Sequence, residues 1–386
     1  MNNGILYNAL KRITPLRAAV RAVRDVLSAY RPSTWLLTGK ERWTGHPLSL
    51  VFAGQLESKN YLAHLAFAGL AEEISLGRVW IWCALQLGER RFRHVPLTFV
   101  ETRQHVPRGR REPGNFWVPC WVGCEVDIAS ANARIKKSRN IKRDLQRIAK
   151  QGLSYETTRE PSRFEWFYQE MYVPYIRNVY GQRAFLMGYE EMMSKVGQCE
   201  LLLVEQNGVC LAGEIILFEK GRARAWSVGV KDGSCALVKQ GALKACEYFE
   251  IQHLSERGYK KIHWGASRPF LRDGALCHKK AWGARIVDNA RKGFAVKVPR
   301  RSPGVEAFLK NNPFIYRVDG VYHGAVFRDD LVMAGSDLQH LDGEHYIDGL
   351  RDITIFQLAS DVPNAAIPVE LAQRVRVRSA ESIFHP

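Results

Sequence analysis

The sequence predicts an α/β protein of the α+β kind, built on a mixed sheet. Three observations carry this. Between Leu153 and Val287 the strand and helix patterns follow the order β-α-α-β-β-β-α-β-α-β. Asn207-Gly208 and Lys220-Gly221 punctuate three apolar runs, the signal for tight hairpins in a three-strand meander. A long helical pattern then ends at Gly258, suited to the left-handed turn that closes a helix, and the apolar run Lys261-Ile-His-Trp264 follows. A single crossover helix makes this last strand parallel to the third meander strand.

The elements are justified in order. Residues 1–43 read as a basic helical lead: Ile5, Leu6, Leu10, Ile13, Leu16, Val20 and Val23 alternate with Lys11, Arg12, Arg17, Arg21 and Arg24, with a break at Pro15. Residues 44–130 form a mixed module. Leu48–Ala53, Val79–Leu85 and Phe116–Ile128 read as strands there, Ser58–Leu70 as a helix, and 108–114 as a Gly/Pro loop. Residues 131–300 form the main domain. Ser138–Gln151 is helical, with Ile141, Leu145 and Ile148 at spacings of four and three, and Gly152 ends it. Leu153–Thr157 is a short strand. Pro161 opens a long helix with Phe164, Phe167, Tyr168, Met171, Tyr172 and Tyr175 along one side. Tyr189–Val196 is a short helix; the meander follows, then a helix over 236–257. Another strand lies near Ile286. Residues 301–386 are an extension that opens with a helix at 304–311.

The chain of 386 residues carries a formal net charge of +17, so its partners are expected to be anionic: nucleic acid, a phosphorylated cofactor, an acidic glycan or a membrane surface. The eight cysteines are scattered; Cys120 and Cys124 alone are close, without the second half-site that zinc needs. They read as reduced residues of a cytoplasmic protein, and no metal is expected. No run of 18 uncharged apolar residues occurs, so no spanning helix is predicted. The basic N-terminal helix either packs on its own protein with a solvated face, the commoner outcome, or touches the inner face of a membrane.

The element order resembles the GNAT acyltransferase arrangement, in which two parallel strands splay apart and the gap admits an acyl thioester. Further residues narrow the resemblance. Ser138-Arg-Asn-Ile-Lys-Arg-Asp-Leu145, Ala212-Gly213-Glu214 and Lys279-Lys-Ala-Trp282-Gly283 look like three segments of the FemAB-like and BioF2-like acyltransferases. His278 stands where that family usually has an aromatic ring. The likeness covers roughly residues 130–290, and 44–128 would then be a reduced first module of a tandem pair.

Acyl transfer needs alignment of the two substrates, a proton acceptor and stabilisation of the oxyanion. The resemblance makes Lys279 the first choice for electrostatic stabilisation. Glu214, in the apolar run Leu211–Leu217, is either a general base with a raised pKa or the outward residue of an alternating strand. His263 and His278 are alternative bases, although a lone histidine is more often structural. Ser267 and Arg268 follow a strand end, where ligands tend to bind, and Arg268 can fork onto a phosphate or carboxylate. Asp273 reads as the cap of the next helix. Tyr172 and Arg177 are candidates for an acceptor groove. Lys231, Gly233 and Ser234 occupy the place of a phosphate loop, with irregular glycine spacing. The basic run from Arg134 to Lys150, with Arg139, Lys142, Arg143 and Arg147 on one helical face, is either solvated or in contact with phosphate.

Three functions are expected on this basis. The first is acyl transfer from acetyl-CoA or another acyl-CoA to an amine or hydroxyl, on a small molecule or an envelope or polysaccharide precursor. The second is aminoacyl transfer from charged tRNA. The third is a non-catalytic basic protein that binds RNA or an anionic membrane.

Overall fold

The computed structural model describes residues 30–92, 94–103, 114–181, 186–288, 290–329, 335–359 and 367–384. The expected helix over 1–29 and most of the loop at 108–114 lie outside the described residues. The chain divides into two compact units, one of residues 121–289 with 345–351 and one of the remainder.

The unit of residues 121–289 is built on a seven-stranded mixed sheet. Its elements in chain order are β1 (Val122–Asp127), α1 (Ile128–Lys137), α2 (Arg139–Lys150), β2 (Ser154–Thr158), α3 (Pro161–Phe167), α4 (Val173–Tyr180), α5 (Tyr189–Met193), β3 (Cys199–Gln206), β4 (Val209–Glu219), β5 (Arg222–Val230), α6 (Cys235–Gln240), α7 (Ala242–Glu256), β6 (Lys261–Ser267), α8 (Gly274–Ala281) and β7 (Arg285–Val287). The spatial order is β7-β1-β6-β5-β4-β3-β2. The meander β3-β4-β5 is antiparallel, and β6 is parallel to β5, as the single crossover requires.

Both faces of this sheet are covered. On one face Phe164, Phe167, Met171 and Tyr172 pack with Leu201, Leu203, Ile215 and Leu217. A π-helical turn, Tyr168–Tyr172, joins α3 to α4 and lies against β5. Gly229 permits that approach, because a Cβ there would stand 2.7 Å from the backbone of Met171 and Tyr172. The other face takes α7, whose Ala242, Ala245, Cys246, Phe249, Glu250, Ile251 and Leu254 are buried. Strand alternation turns Glu214 toward that face, since its neighbour Ile215 belongs to the first cluster.

Several expectations are corrected. The helix expected over 236–257 is broken at Gly241, whose φ of 101° is left-handed, into α6 and α7. The strand expected at Val79–Leu85 is the start of the helix Ile81–Arg90: the run is apolar all round, and short apolar runs do not declare their period. The stretch Phe116–Ile128 is two strands, Asn115–Pro119 and β1, in different sheets. Residues 31–43, expected to belong to the basic helical lead, are not helical, and Ser33–Lys40 is a strand.

The other unit holds a six-stranded sheet in the order 72–78, 33–40, 47–54, 97–103, 292–297, 115–119. Strand Pro47–Gly54 runs parallel to Leu97–Arg103, with the helices Leu56–Ala66 and Ile81–Arg90 between them in sequence. A four-stranded sheet, in the order 314–318, 321–328, 353–357, 375–379, completes it.

Candidate active site

The site is defined by a break in the centre of the seven-stranded sheet. Strands β5 and β6 pair only at Ala223–Ile262 and Arg224–His263. Beyond that point β5 stays paired with β4 as far as Val230, and β6 stays paired with β1 as far as Ser267. Each strand therefore keeps its outer partner and loses its inner one. Register shifts occur at Ala225–Ser227 of β5 and His263–Ala266 of β6, where the strands part. Such irregularities bend and re-aim a strand. Gly265, at φ 64°, supplies the positive dihedral in β6, and its N–H donates to His263 Nδ1 at 3.1 Å. That bond makes His263 Nδ1 an acceptor. Burial, then Arg224 and Lys279, hold the His263 pKa below its ordinary value.

One group of side chains stands at the end of β6. Ser267 and Arg268 are buried, and the Arg268 guanidinium lies 3.8 Å from the centroid of the Trp121 ring. Stacking of this kind fixes the plane of the guanidinium. Lys279 Nζ, from α8, donates to the carbonyl of Ala266 at 3.0 Å. Burial pushes its pKa down, opposed by attraction to Cys124, Asp273 and Glu247. The Cys124 thiol faces Ser267 Oγ at 3.8 Å, and burial pushes its pKa up. Asp273 is a cap, its carboxylate accepting from the Leu276 N–H at 3.1 Å.

A second group is buried between the sheet and α7. Glu214 and Glu250 are both buried, and Glu250 Oε2 accepts from the indole N–H of Trp264 at 2.9 Å. Oxygens Glu214 Oε2 and Glu250 Oε1 have no hydrogen-bond partner among the described residues. Burial, then repulsion from Glu250 and Glu247, push Glu214 well above the usual carboxylate range. Burial raises Glu250 to about 8, with the Trp264 bond opposing and Glu247 adding to the rise. His278 joins this group: it pairs with Glu247, and Lys244 Nζ lies 2.7 Å from its Nδ1. With Nδ1 accepting from the ammonium, Nε2 carries the proton toward the Glu247 carboxylate. The second alternative for Glu214, an outward residue on an alternating strand, is excluded, because the strand has no solvent face there.

A third group lies at the end of β5. Gly233, at φ 63°, packs against Pro174, and its carbonyl accepts from Asn178 Nδ2 at 3.1 Å. Ser234 caps α6, its hydroxyl accepting from the Leu237 N–H at 3.4 Å. Lys231 opens the same turn, and exposed Arg177 lies on α4 beside Asn178. The end-of-β5 and end-of-β6 groups thus flank the two parallel strands that separate. Tyr172 stands apart in the core, its hydroxyl accepting from the Met187 N–H at 2.9 Å. The face of α2 with Arg139, Lys142, Arg143 and Arg147 is exposed, and Arg147 reaches the carbonyl of Lys239 at the end of α6, 3.4 Å away.

Sequence reading missed Trp121, Cys124, Glu247, Glu250 and Trp264. Glu247 and Glu250 were findable, being three apart on one apolar helix and so on one side of it. Trp121 and Cys124 carried no signal, because only the pairing of β1 with β6 brings them here. Among the described residues, Glu156, Glu205 and Cys210 bring ligand-type atoms within 4.8 Å of one another. Arg163 donates there, to Glu156 at 3.1 Å and to Cys210 at 3.4 Å, so a guanidinium already supplies the positive charge.

Parallel central strands that part, with a crossover helix between them, define a GNAT-type fold. Residues 136–275 match the family model described as an acetyltransferase (GNAT) domain, so this segment is a GNAT-type acetyltransferase domain of the FemAB-like family. No curated protein matches the chain. Among solved structures the chain is similar to FemX, at 11% identity and a TM-score of 0.36, over 67% of this chain and 83% of that one. It is also similar to L-PGS from Bacillus licheniformis, at 10% identity and TM-score 0.33, over 72% of this chain and 85% of that one. A GCN5-related N-acetyltransferase-like protein from Streptococcus suis is similar at 13% identity and TM-score 0.26, over 68% and 84% of the two chains. No helix of the described residues is long and apolar enough to cross a membrane.

Proposed function

We propose that this chain transfers an acyl group from acyl-CoA to an amine or hydroxyl, in the gap between β5 and β6. The observation that carries the reading is the parting of these strands after Arg224 and His263, with Lys279 and Arg268 at the end of one and the 231–234 turn at the end of the other. The acyl carbon–sulfur bond breaks as a carbon–nitrogen or carbon–oxygen bond forms. Unpaired backbone groups of β5 receive the donor carbonyl. Lys279 supplies positive charge at the mouth, worth most in a site that excludes water. The proton of the acceptor passes to an ionised member of the Glu214–Glu250 pair, a fraction that grows as pH rises; burial then favours the protonated carboxyl that results. Arg268, steadied on Trp121, holds an anionic part of a substrate, and Arg177 borders the acceptor side. An acceptor from an envelope or polysaccharide precursor fits this cationic rim. The test is thiol release from acetyl-CoA and longer acyl-CoAs on mixing with amine and hydroxyl acceptors. Release by wild type, lost in folded Lys279→Ala, supports the reading; no release with any thioester overturns the donor assignment.

A second reading is favoured by one observation. Ser234 and Gly233 are both engaged within their own turn, and α6 is short and ends at Gly241, so the 231–234 turn is a lean phosphate cradle. The exposed basic face of α2 beside α6 would then meet the phosphates of charged tRNA. Aminoacyl transfer from tRNA without thiol release would select this donor.

A further inference from the structure

The other unit carries an exposed aromatic and aliphatic surface. Ser33 pairs with both Gly54 and Arg78, so three strand ends lie side by side at one end of the six-stranded sheet. Adjacent strands are about 4.8 Å apart, so this end is compact. Just beyond these ends stand Leu56, Trp80 and Trp82, with Tyr30 three residues before Ser33. Leu56 is 58% exposed, Trp82 53% and Tyr30 45%, large values for such side chains gathered at one place.

The rings of Trp80 and Trp82 stack at 5.0 Å, with 12° between planes. The Arg31 guanidinium lies 5.2 Å from the Trp80 centroid, and Arg31 also donates to the Arg78 carbonyl at 3.5 Å. Arg31 and Arg78 are both exposed. Glu57, in the first turn of the helix Leu56–Ala66, is opposite in charge and stands where a helix N-terminus favours a carboxylate.

We infer that this end of the sheet docks on an anionic bilayer surface. Tryptophan and tyrosine prefer the depth of the headgroups, aliphatic side chains the acyl boundary just below, and arginines the anionic phosphates. The net charge of +17 is complementary to such a surface. RNA is the weaker fit. The two indoles cover one another, which removes ring faces that bases would stack on, and exposed Leu56 offers RNA nothing. The inference is independent of the transfer reaction, since binding is read without substrate.

The test uses the full chain in co-sedimentation with vesicles of phosphatidylcholine alone, or of phosphatidylcholine with phosphatidylglycerol. Wild type is expected to bind the anionic vesicles, less so as salt rises. Trp82→Ser and Leu56→Gln are each expected to weaken binding about fivefold or more. Both side chains are exposed, so the thermal midpoint should stay in place, and it is measured alongside. Variants that bind as wild type does, or a wild type that ignores anionic vesicles, overturn the proposal. So does an RNA oligomer whose binding falls in these variants while vesicle binding does not.

Discussion

The indole N–H of Trp264 donates to Glu250 Oε2 at 2.9 Å, which ties the cleft strand β6 to a carboxyl buried on α7. Glu250 has its pKa raised from 4.5 to about 8, chiefly by burial. The fold therefore retains a proton that the unfolded chain releases. Its contribution to stability is complete below about pH 4.5 and is lost as pH rises through about 8. Glu250→Gln keeps an acceptor for Trp264 and cannot ionise. In a series of thermal unfolding curves its midpoint should fall less with rising pH than that of wild type. Part of the slope persists, because Glu214 is shifted in the same direction. Equal slopes would mean that Glu250 is not the group that titrates.

Lys279→Ala should lower acyl transfer by about 100-fold in a protein that still folds, the scale of losing one preorganised charge. Lys279→Arg should recover part of the loss. Because burial lowers the lysine pKa, activity that depends on its cation should decline with rising pH earlier than an exposed lysine would allow. Steady-state thiol release across pH measures both.

Trp121→Ala removes the ring that steadies Arg268, 3.8 Å from its centroid. A stacked guanidinium is worth roughly 1 kcal/mol, so KM for the anionic substrate should rise about fivefold with little change in kcat. An unchanged KM would leave Arg268 with a packing role only.

Asp273→Ala should cost about 1 kcal/mol of stability, because it removes the cap on Leu276 N–H, and Asp273→Ser should restore most of it. Turnover per folded molecule should hardly move. A loss of turnover at normal stability would make Asp273 a member of the site.

Gly229→Ala should destabilise the GNAT domain by about 1–3 kcal/mol, because the new methyl meets the backbone of the π-helical turn at 2.7 Å. Denaturant titration measures the change.

Much of the architecture was legible in the chain. Asn207-Gly208 and Lys220-Gly221 announced the hairpins, and both turns have positive φ at each of their two residues. Gly258, at φ 77°, closes the crossover helix, and Asp273 caps α8. These signals are local: each depends on a few neighbouring dihedrals and one hydrogen bond. The parallel approach of β6 to β5 followed from the single crossover helix that connects them. The GNAT likeness rested on that order, and the match over residues 136–275 agrees with it.

The sequence by itself thus determined the meander β3-β4-β5 with β6 parallel to β5, its turns and caps, and the cationic character of the chain; the place of β1 in the sheet it did not determine. Only the tertiary structure decided which way Glu214 faces, because alternation gives two faces and not what packs on each of them. It also brought Glu250 to Trp264 and Trp121 to Arg268, residues that meet only when α7 packs on the sheet and β1 pairs with β6. Contacts of that kind depend on packing between distant segments, and no local pattern of residues encodes them.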